Sequence, residues 1–305
     1  MMGCELLVIT GPTASGKTAR GVDCARALGG EIVSADSRQI YRGMDLGTGK
    51  DLEEYGDVPY HLIDIMPAGY RYNLYEYLRD ANAAVEAVRS RGHLPVVVGG
   101  TGMYVEALLN GLRLPEVPAN PELRQELEGK SLAELTELLS SMKSLHNTTD
   151  VDTAKRAIRA IEIETFYRNH PELAQDAVPH PVKKAVVVGV DIPRDMRRSR
   201  ITARLRKRLD DGMLDEVRSL LAAGIPSENL IYYGLEYKYL TEHVLGLTSF
   251  DEMFSALETA IHQFAKRQMT WFRGMERRGH HIEWLPYDLP SEEFVASVKK
   301  LVQEC

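Results

Sequence analysis

The sequence predicts an α/β protein whose parallel sheet is covered by helices on both faces and interrupted by an all-helical insertion. Three observations carry this expectation. Short apolar runs alternate with stretches of helical periodicity, as βαβ units require. The first run leads into Gly11-Pro12-Thr13-Ala14-Ser15-Gly16-Lys17-Thr18, a complete G-x-x-x-x-G-K-[ST] pattern, which makes the fold P-loop NTPase-like. Strand-like runs then vanish between Leu114 and Pro181, where only helical pattern remains.

Taken in order, residues 5–10 form a buried strand that stops at Gly11-Pro12. A helix starts near 16–18, runs through Val22, Ala25 and Leu28, and ends at Gly29-Gly30. Residues 31–35 read as a second strand ending at Asp36, 60–65 as a third, and 73–91 as a helix. The continuous apolar run 94–98 enters Gly99-Gly100 and is followed by a helix over 101–110. Prolines 115, 118 and 121 break the alternation. Helices are expected over 122–128, 132–142 and 152–167, a final strand over 185–190, and mostly helix from Pro193 onward. The resulting division is a core over 1–114 and 182–305, with an insertion over 115–181 between two strands of its sheet.

A chain of 305 residues with 44% apolar content can bury one good core and a smaller appendage. No apolar run approaches the roughly 20 residues of a membrane span, and the first residues lack the basic-then-apolar pattern of a secretion signal. Cys4, Cys24 and Cys305 offer neither a disulfide framework nor C-x-x-C spacing, which suits a reducing cytoplasm. Without export, the glycosylation-type match Asn147-Thr148-Thr149 is empty. The net charge of −7 argues mildly against a nucleic-acid partner, but ten basic residues crowd 183–208 against only Asp191 and Asp195. Such a stripe suits RNA; a solvated helix face is the alternative.

The glycine-rich loop carries the clearest chemistry. Its backbone N–H groups converge on a phosphate at the positive end of the helix dipole. Lys17 adds a point charge and the Thr18 hydroxyl can hold Mg²⁺. The pattern does not say which di- or triphosphate binds. Asp36 ends its strand on the same sheet edge; if the first two strands are neighbours, it lies one strand spacing, about 5 Å, from the loop. A carboxylate there can take a proton from an attacking group, with a Mg²⁺ water ligand or a helix cap as alternatives. Asp64 and Asp191 also end apolar runs and compete for a metal-linked role. No [NT]-K-x-D segment for reading guanine is present.

Beyond the loop, several segments are more specific. They are Ser34-Ala-Asp-Ser-Arg-Gln-Ile-Tyr-Arg-Gly-Met-Asp-Leu-Gly-Thr48, His61-Leu-Ile-Asp64, Val98-Gly-Gly-Thr-Gly-Met-Tyr104, Arg200-Ile-x-x-Arg204 with Gly212 and Glu216-Val217, and Ala265-Lys-Arg-Gln-Met-Thr-Trp-Phe-Arg273. Their order and content resemble the tRNA dimethylallyltransferases over nearly the whole chain. The resemblance implies that the loop holds the diphosphate of dimethylallyl diphosphate, with Mg²⁺ as cofactor. It implies that N6 of the adenine next to the anticodon (position 37 of tRNA) attacks the allylic carbon, and diphosphate leaves.

In that reading Asp36 takes the amine proton, Thr13 positions the reacting groups and Arg204 steadies the leaving charge. Ser37, Arg38, Gln39 and Thr101 lie at the flipped-out base and its neighbours; Lys266, Arg267 and Gln268, with Arg156 and Arg159 of the insertion, contact tRNA. A salt-bridged surface is the alternative for Arg156 and Arg159. Trp271 and Phe272 are expected in the core. The chain departs from the family pattern at Thr48-Gly-Lys50, Asp152-Thr153 and 231–238, all expected away from the diphosphate site. A cytoplasmic monomer with no membrane segment is expected. Rival readings are a prenyltransferase for free adenine nucleotides, a small-molecule kinase and a non-enzymatic RNA-binding protein.

Overall fold

The computed structural model describes residues 3–145, 149–176 and 178–305; Asn147 and Thr148 of the glycosylation-type match lie outside the described residues. The chain forms two compact units, one of Met1–Gly111 with Pro181–Cys305 and one of Leu112–His180.

The larger unit begins with β1 (Leu6–Thr10), all five residues buried, and α1 (Lys17–Leu28). Gly29, in the left-handed region at φ 63°, closes α1 by donating its N–H to the Ala25 carbonyl. There follow β2 (Gly30–Ser34), β3 (Tyr41–Arg42), β4 (Tyr60–His61) and β5 (Met66–Pro67). Helix α2 (Leu74–Ser90) starts from a capping box in which Asn73 and Glu76 satisfy each other's backbone. β6 (Leu94–Gly99) and α3 (Gly102–Leu109) complete the first half.

The smaller unit holds α4 (Pro121–Leu127), α5 (Leu132–Met142), α6 (Ala154–Asn169) and α7 (Pro171–Asp176). Leu127, Leu135, Leu139, Ala157, Ala160 and Ile161 form its core. The buried Glu162 carboxylate collects Arg124 at 2.7 Å, Arg159 at 3.1 Å and the Asn120 N–H at 2.8 Å.

The chain returns to the larger unit with β7 (Ala185–Asp191), α8 (Arg194–Asp210), α9 (Met213–Ala222), α10 (Ser227–Tyr232), α11 (Leu235–Val244) and α12 (Phe250–Arg277). It ends with β8 (Glu283–Pro286) and α13 (Ser291–Glu304). The six-stranded sheet has the order β4-β2-β6-β1-β7-β8, every pairing parallel. Apolar side chains of the central strands, among them Leu7, Ile9, Val96, Val98, Val188 and Val190, pack with Val22, Phe294, Val298 and Val302. Burial on both faces explains why these strands read as unbroken apolar runs.

Three expectations are corrected. The strand over 60–65 supplies only two ladder residues, because Leu62 and Asp64 take left-handed φ values of 64° and 56° and turn the chain out of the ladder. β8 was not expected: four residues carry too little pattern to separate a strand from a loop. The first two strands are not neighbours. Both edges of β1 are taken, by β6 and β7, and β2 pairs with β6 instead. Asp36 therefore lies about two strand spacings from the loop, roughly 10 Å.

Candidate active site

β6 resolves the extra distance. It ends in Gly99-Gly100, so the strand between the loop and Asp36 has no side chain at its tip. A Cβ on Gly99 would sit 2.2 Å from the Ala35 carbonyl oxygen, so only glycine lets β6 close against the end of β2. The space left open is a cleft enclosing about 90 Å³, whose lining includes Thr13, Lys17, Thr18, Asp36, Gln39 and Arg204 together with Thr48, Gly49, Asp51, Glu54 and Tyr55.

The loop's shape needs backbone that ordinary residues avoid: φ is 149° at Gly11, 63° at Ala14 and 89° at Gly16. Gly11 also lies so close to β7 that a Cβ would come within 3.1 Å of the Val190 carbonyl. Thr13 is stapled from two distant helices. Its N–H donates to Gln268 Oε1 at 2.8 Å, and its hydroxyl accepts from Arg204 Nη2 at 2.6 Å. The other end of the Gln268 amide donates to the Gly100 carbonyl at 2.9 Å, tying the loop to the tip of β6. Ser15 Oγ is buried with no partner in the protein.

Lys17 and Arg204 are half-buried cations that line one cleft. Burial lowers the Lys17 ammonium to about 8, with Arg204 and Arg208 adding repulsion and Asp36 opposing them. Burial likewise lowers Arg204 to about 10, again helped by Arg208. A pocket that holds positive charge away from water favours an anion that brings its own negative charge.

Asp36 sits in a tight turn. Its N–H donates to Ser34 Oγ at 3.3 Å and its Oδ1 accepts the Arg38 N–H at 2.9 Å, so the carboxylate is fixed by its own chain. Ser37 N–H donates to Thr101 Oγ1 at 3.1 Å. Gln39 is buried, accepting from Ser34 Oγ at 3.2 Å and donating to the Gly49 carbonyl at 3.1 Å. The two competing acids fall outside the cleft lining. Asp64 is paired with the buried Lys50 ammonium, which also binds Asp45 and the Tyr41 carbonyl, both at 2.6 Å. Asp191 is exposed at the end of β7.

The sequence reading missed Asp51, Glu54, Tyr55 and Arg208. Burial raises the Glu54 carboxyl, with Asp51 adding repulsion. The departures from the family pattern are also nearer than expected. Thr48 and Gly49 line the cleft, and Glu236 shares a small cavity with Arg204 and Arg208. Distance along the chain concealed this, since α8 and α11 meet the 48–51 turn only in the folded unit. Glu216 has a legible role: its carboxylate accepts the N–H groups of Asp45, Leu46 and Gly47 at 2.7, 2.8 and 3.0 Å.

Lys266 and Arg267 are exposed on α12, with the Arg267 guanidinium 5.8 Å from the Phe264 ring centre. Gln268, on the opposite face, is buried and serves as the strut described above. Phe272 is fully buried, whereas Trp271 is 41% exposed, a correction to its expected core position: Gly102 gives it a seat on α3 rather than a place inside. In the smaller unit Arg156 pairs with Asp152 at 2.5 Å, and Arg159 bonds Glu162 and the Val117 carbonyl. Among the described residues no helix is long and apolar enough to cross a membrane.

A parallel α/β sheet with a glycine-rich loop after β1, and one cleft lined by Lys17, Asp36 and Arg204, are the frame on which comparison with known proteins falls. The chain belongs to the tRNA dimethylallyltransferase (IPP transferase) family of tRNA-prenylating enzymes. The IPP transferase family model matches residues 39–275 and the isopentenyl transferase model residues 4–55. The chain is 59% identical over 304 residues to tRNA dimethylallyltransferase 2 of Bacteroides fragilis, covering 98% of each chain. It is 55% identical over 306 residues to tRNA dimethylallyltransferase 1 of Parabacteroides distasonis, covering 99% of each. The solved tRNA isopentenylpyrophosphate transferase of Bacillus halodurans superposes with a TM-score of 0.72 at 30% identity, covering 98% of this chain and 97% of that one.

Proposed function

We propose that the protein transfers a dimethylallyl group from dimethylallyl diphosphate to N6 of the adenine next to the anticodon (position 37) of tRNA, releasing diphosphate. The observation that carries this reading is the cleft in which Asp36 faces Lys17 and the Thr13–Arg204 pair. An adenine amine is a weak nucleophile, because its lone pair is delocalised into the ring, so leaving-group departure has to be assisted. As N6 attacks the allylic carbon, the carbon–oxygen bond breaks and its electron pair goes to the diphosphate. Lys17, Arg204 and the loop N–H groups receive that charge, and each such donor contributes on the order of 3 kcal/mol in a dry site. Asp36 takes the proton released from N6.

Mg²⁺ would be held by the Thr18 hydroxyl and by phosphate oxygens, and when bound it supplies further charge stabilisation. The donor set fits that ion. Thr18 lines the cleft together with the oxygen donors Asp36, Asp51 and Glu54, and Mg²⁺ is content with few protein ligands plus phosphates and water. Lys266, Arg267, Arg156 and Arg159 meet tRNA phosphates; Ser37, Arg38 and Thr101 frame the extruded base; Gln39 and Gln268 act from beneath by holding the turn and the loop. The protein works as a monomer in the cytoplasm, a setting in keeping with its three free cysteines.

The test is purified protein with Mg²⁺ and radiolabelled dimethylallyl diphosphate, offered tRNA and AMP in parallel. Label on tRNA alone, at the adenine beside the anticodon, is expected. Label on AMP alone, or brisk ATP cleavage without alkylation, overturns the reading.

A further inference from the structure

Arg208 has no part in the scheme above, yet its surroundings are built around it. It stands one helical turn after Arg204 on α8, with a side chain only 10% exposed. Its Nη2 donates to Asp51 Oδ2 at 2.9 Å. The Nη1/Nη2 end of its guanidinium closes against Gly49, where a Cβ would come within 2.7 Å of the guanidinium carbon. Gly49 and Asp51 are themselves part of the cleft wall. The Gly49 N–H donates to the Asp45 carbonyl at 2.9 Å and its carbonyl accepts from Gln39, so the turn under Arg208 is tied from both sides. On its inner face Arg208 shares a cavity with Arg204 and Glu236.

This arrangement is a poor device for stability alone. Two like charges four residues apart on one helix repel. A buried ion pair is generally no better than apolar residues of the same volume. At the rim of an anion cleft the same arrangement has a use. It fixes the 48–51 part of the cleft wall and sets a second positive charge behind Arg204, whose Nη2 donates to the Thr13 hydroxyl.

We propose that Arg208 is a positioning residue for the leaving diphosphate. It clamps the 48–51 turn against the cleft and, with Glu236 beside it, holds Arg204 on the Thr13 hydroxyl. The inference rests on the reading of the cleft as a diphosphate site, but its test needs no turnover. The full-length protein with Mg²⁺ is titrated calorimetrically with inorganic diphosphate, as wild type, Arg208→Met, Arg208→Lys, Gly49→Ala and the Gly49→Ala/Arg208→Met double variant, each checked by thermal melting.

Arg208→Met is expected to weaken binding about tenfold, equivalent to roughly 1.4 kcal/mol. Gly49→Ala, which removes no charge but displaces the guanidinium and strains a turn at φ 66°, should weaken it by at least that factor. Arg208→Lys should fail to restore it, because an ammonium lacks the planar fork that meets both Gly49 and Asp51. The double variant should lose less than the product of the two single losses, because both changes break the same Arg208–Gly49 contact. In the transfer assay kcat should fall while KM for tRNA holds.

Arg208→Met binding within twofold of wild type overturns the proposal. So does full recovery with lysine, or losses that multiply in the double variant. Wild-type protein that binds diphosphate but prenylates no tRNA would defeat the functional reading and leave these binding comparisons to judge Arg208 separately.

Discussion

Two ionic clusters in the larger unit use similar residues to opposite ends. At the base of β2, Glu31 is surrounded by partners: Arg91 at 2.7 Å, His61 at 2.7 Å and His93 at 2.6 Å. The Arg91 hydrogen bonds hold its carboxyl down at about 2, against an ordinary 4.5. At the other end of the sheet the half-buried Lys17 and Arg204 line one cleft, and loss of surrounding water drives both below their usual values. A cluster whose charges are matched ties elements together. One whose cations are left unmatched suits an anion that brings its own charge. The contrast separates residues that serve folding from residues that serve binding.

The largest test of the contrast is Asp36→Ala. Transfer should fall about a thousandfold, within the range for loss of a general base, while dimethylallyl diphosphate still binds. Retained turnover in a single-turnover assay would remove Asp36 from its role. Next, Glu31→Ala should destabilise the fold by roughly 3 kcal/mol, since it strips a buried acid from three partners, and leave diphosphate affinity intact. Urea unfolding paired with calorimetry measures both. The same carboxylate sets an acid limit. Its stabilisation is full above about 4.5 and is lost as pH falls toward about 2.

Smaller effects sharpen the unmatched side. Free Lys17 begins to lose its proton as pH passes about 8, whereas the anion-bound lysine keeps it. Binding of dimethylallyl diphosphate should therefore take up a proton above that pH and none well below it. Calorimetry in two buffers of different ionisation enthalpy reads the uptake directly, and its absence at pH 9 would show that Lys17 does not meet the phosphate. The smallest effect concerns the smaller unit. Arg156→Ala breaks an exposed pair with Asp152 and should cost about 0.5 kcal/mol of stability or less. If Arg156 instead meets a tRNA phosphate, the salt dependence of tRNA binding should lose close to one unit of slope.

These clusters also differ in how far they could be foreseen. Lys17 and Thr18 were legible because a phosphate loop is local: eight consecutive residues place the cradle, and the run before it and helix after it complete the context. Asp36 was legible as the end of an apolar run. Its approach to the loop was right in kind but wrong in route, because pairing order is not written into any one strand. Arg204 stood out only through its Arg-x-x-x-Arg spacing within a family motif. Gln268 carried a motif too, but nothing local told a strut from an RNA contact. Trp271 shows the same limit, for helical periodicity alone did not reveal that Gly102 offers it a shallow seat. Arg208, Asp51 and Glu236 lie far apart in sequence and carried no signal of their meeting.

The amino-acid order by itself determined the long strands and helices, the helical insertion and the glycine-rich loop, because these depend on periodicity, glycine placement and contacts within a few residues. Tertiary structure alone decided which strand lies between loop and acid, which cations are left unmatched and which are paired, and which glycine makes room for a guanidinium. Those outcomes depend on surfaces brought together from distant parts of the chain, and burial, the quantity that turns a charge into an anchor or leaves it suited to an anion, exists only after they meet.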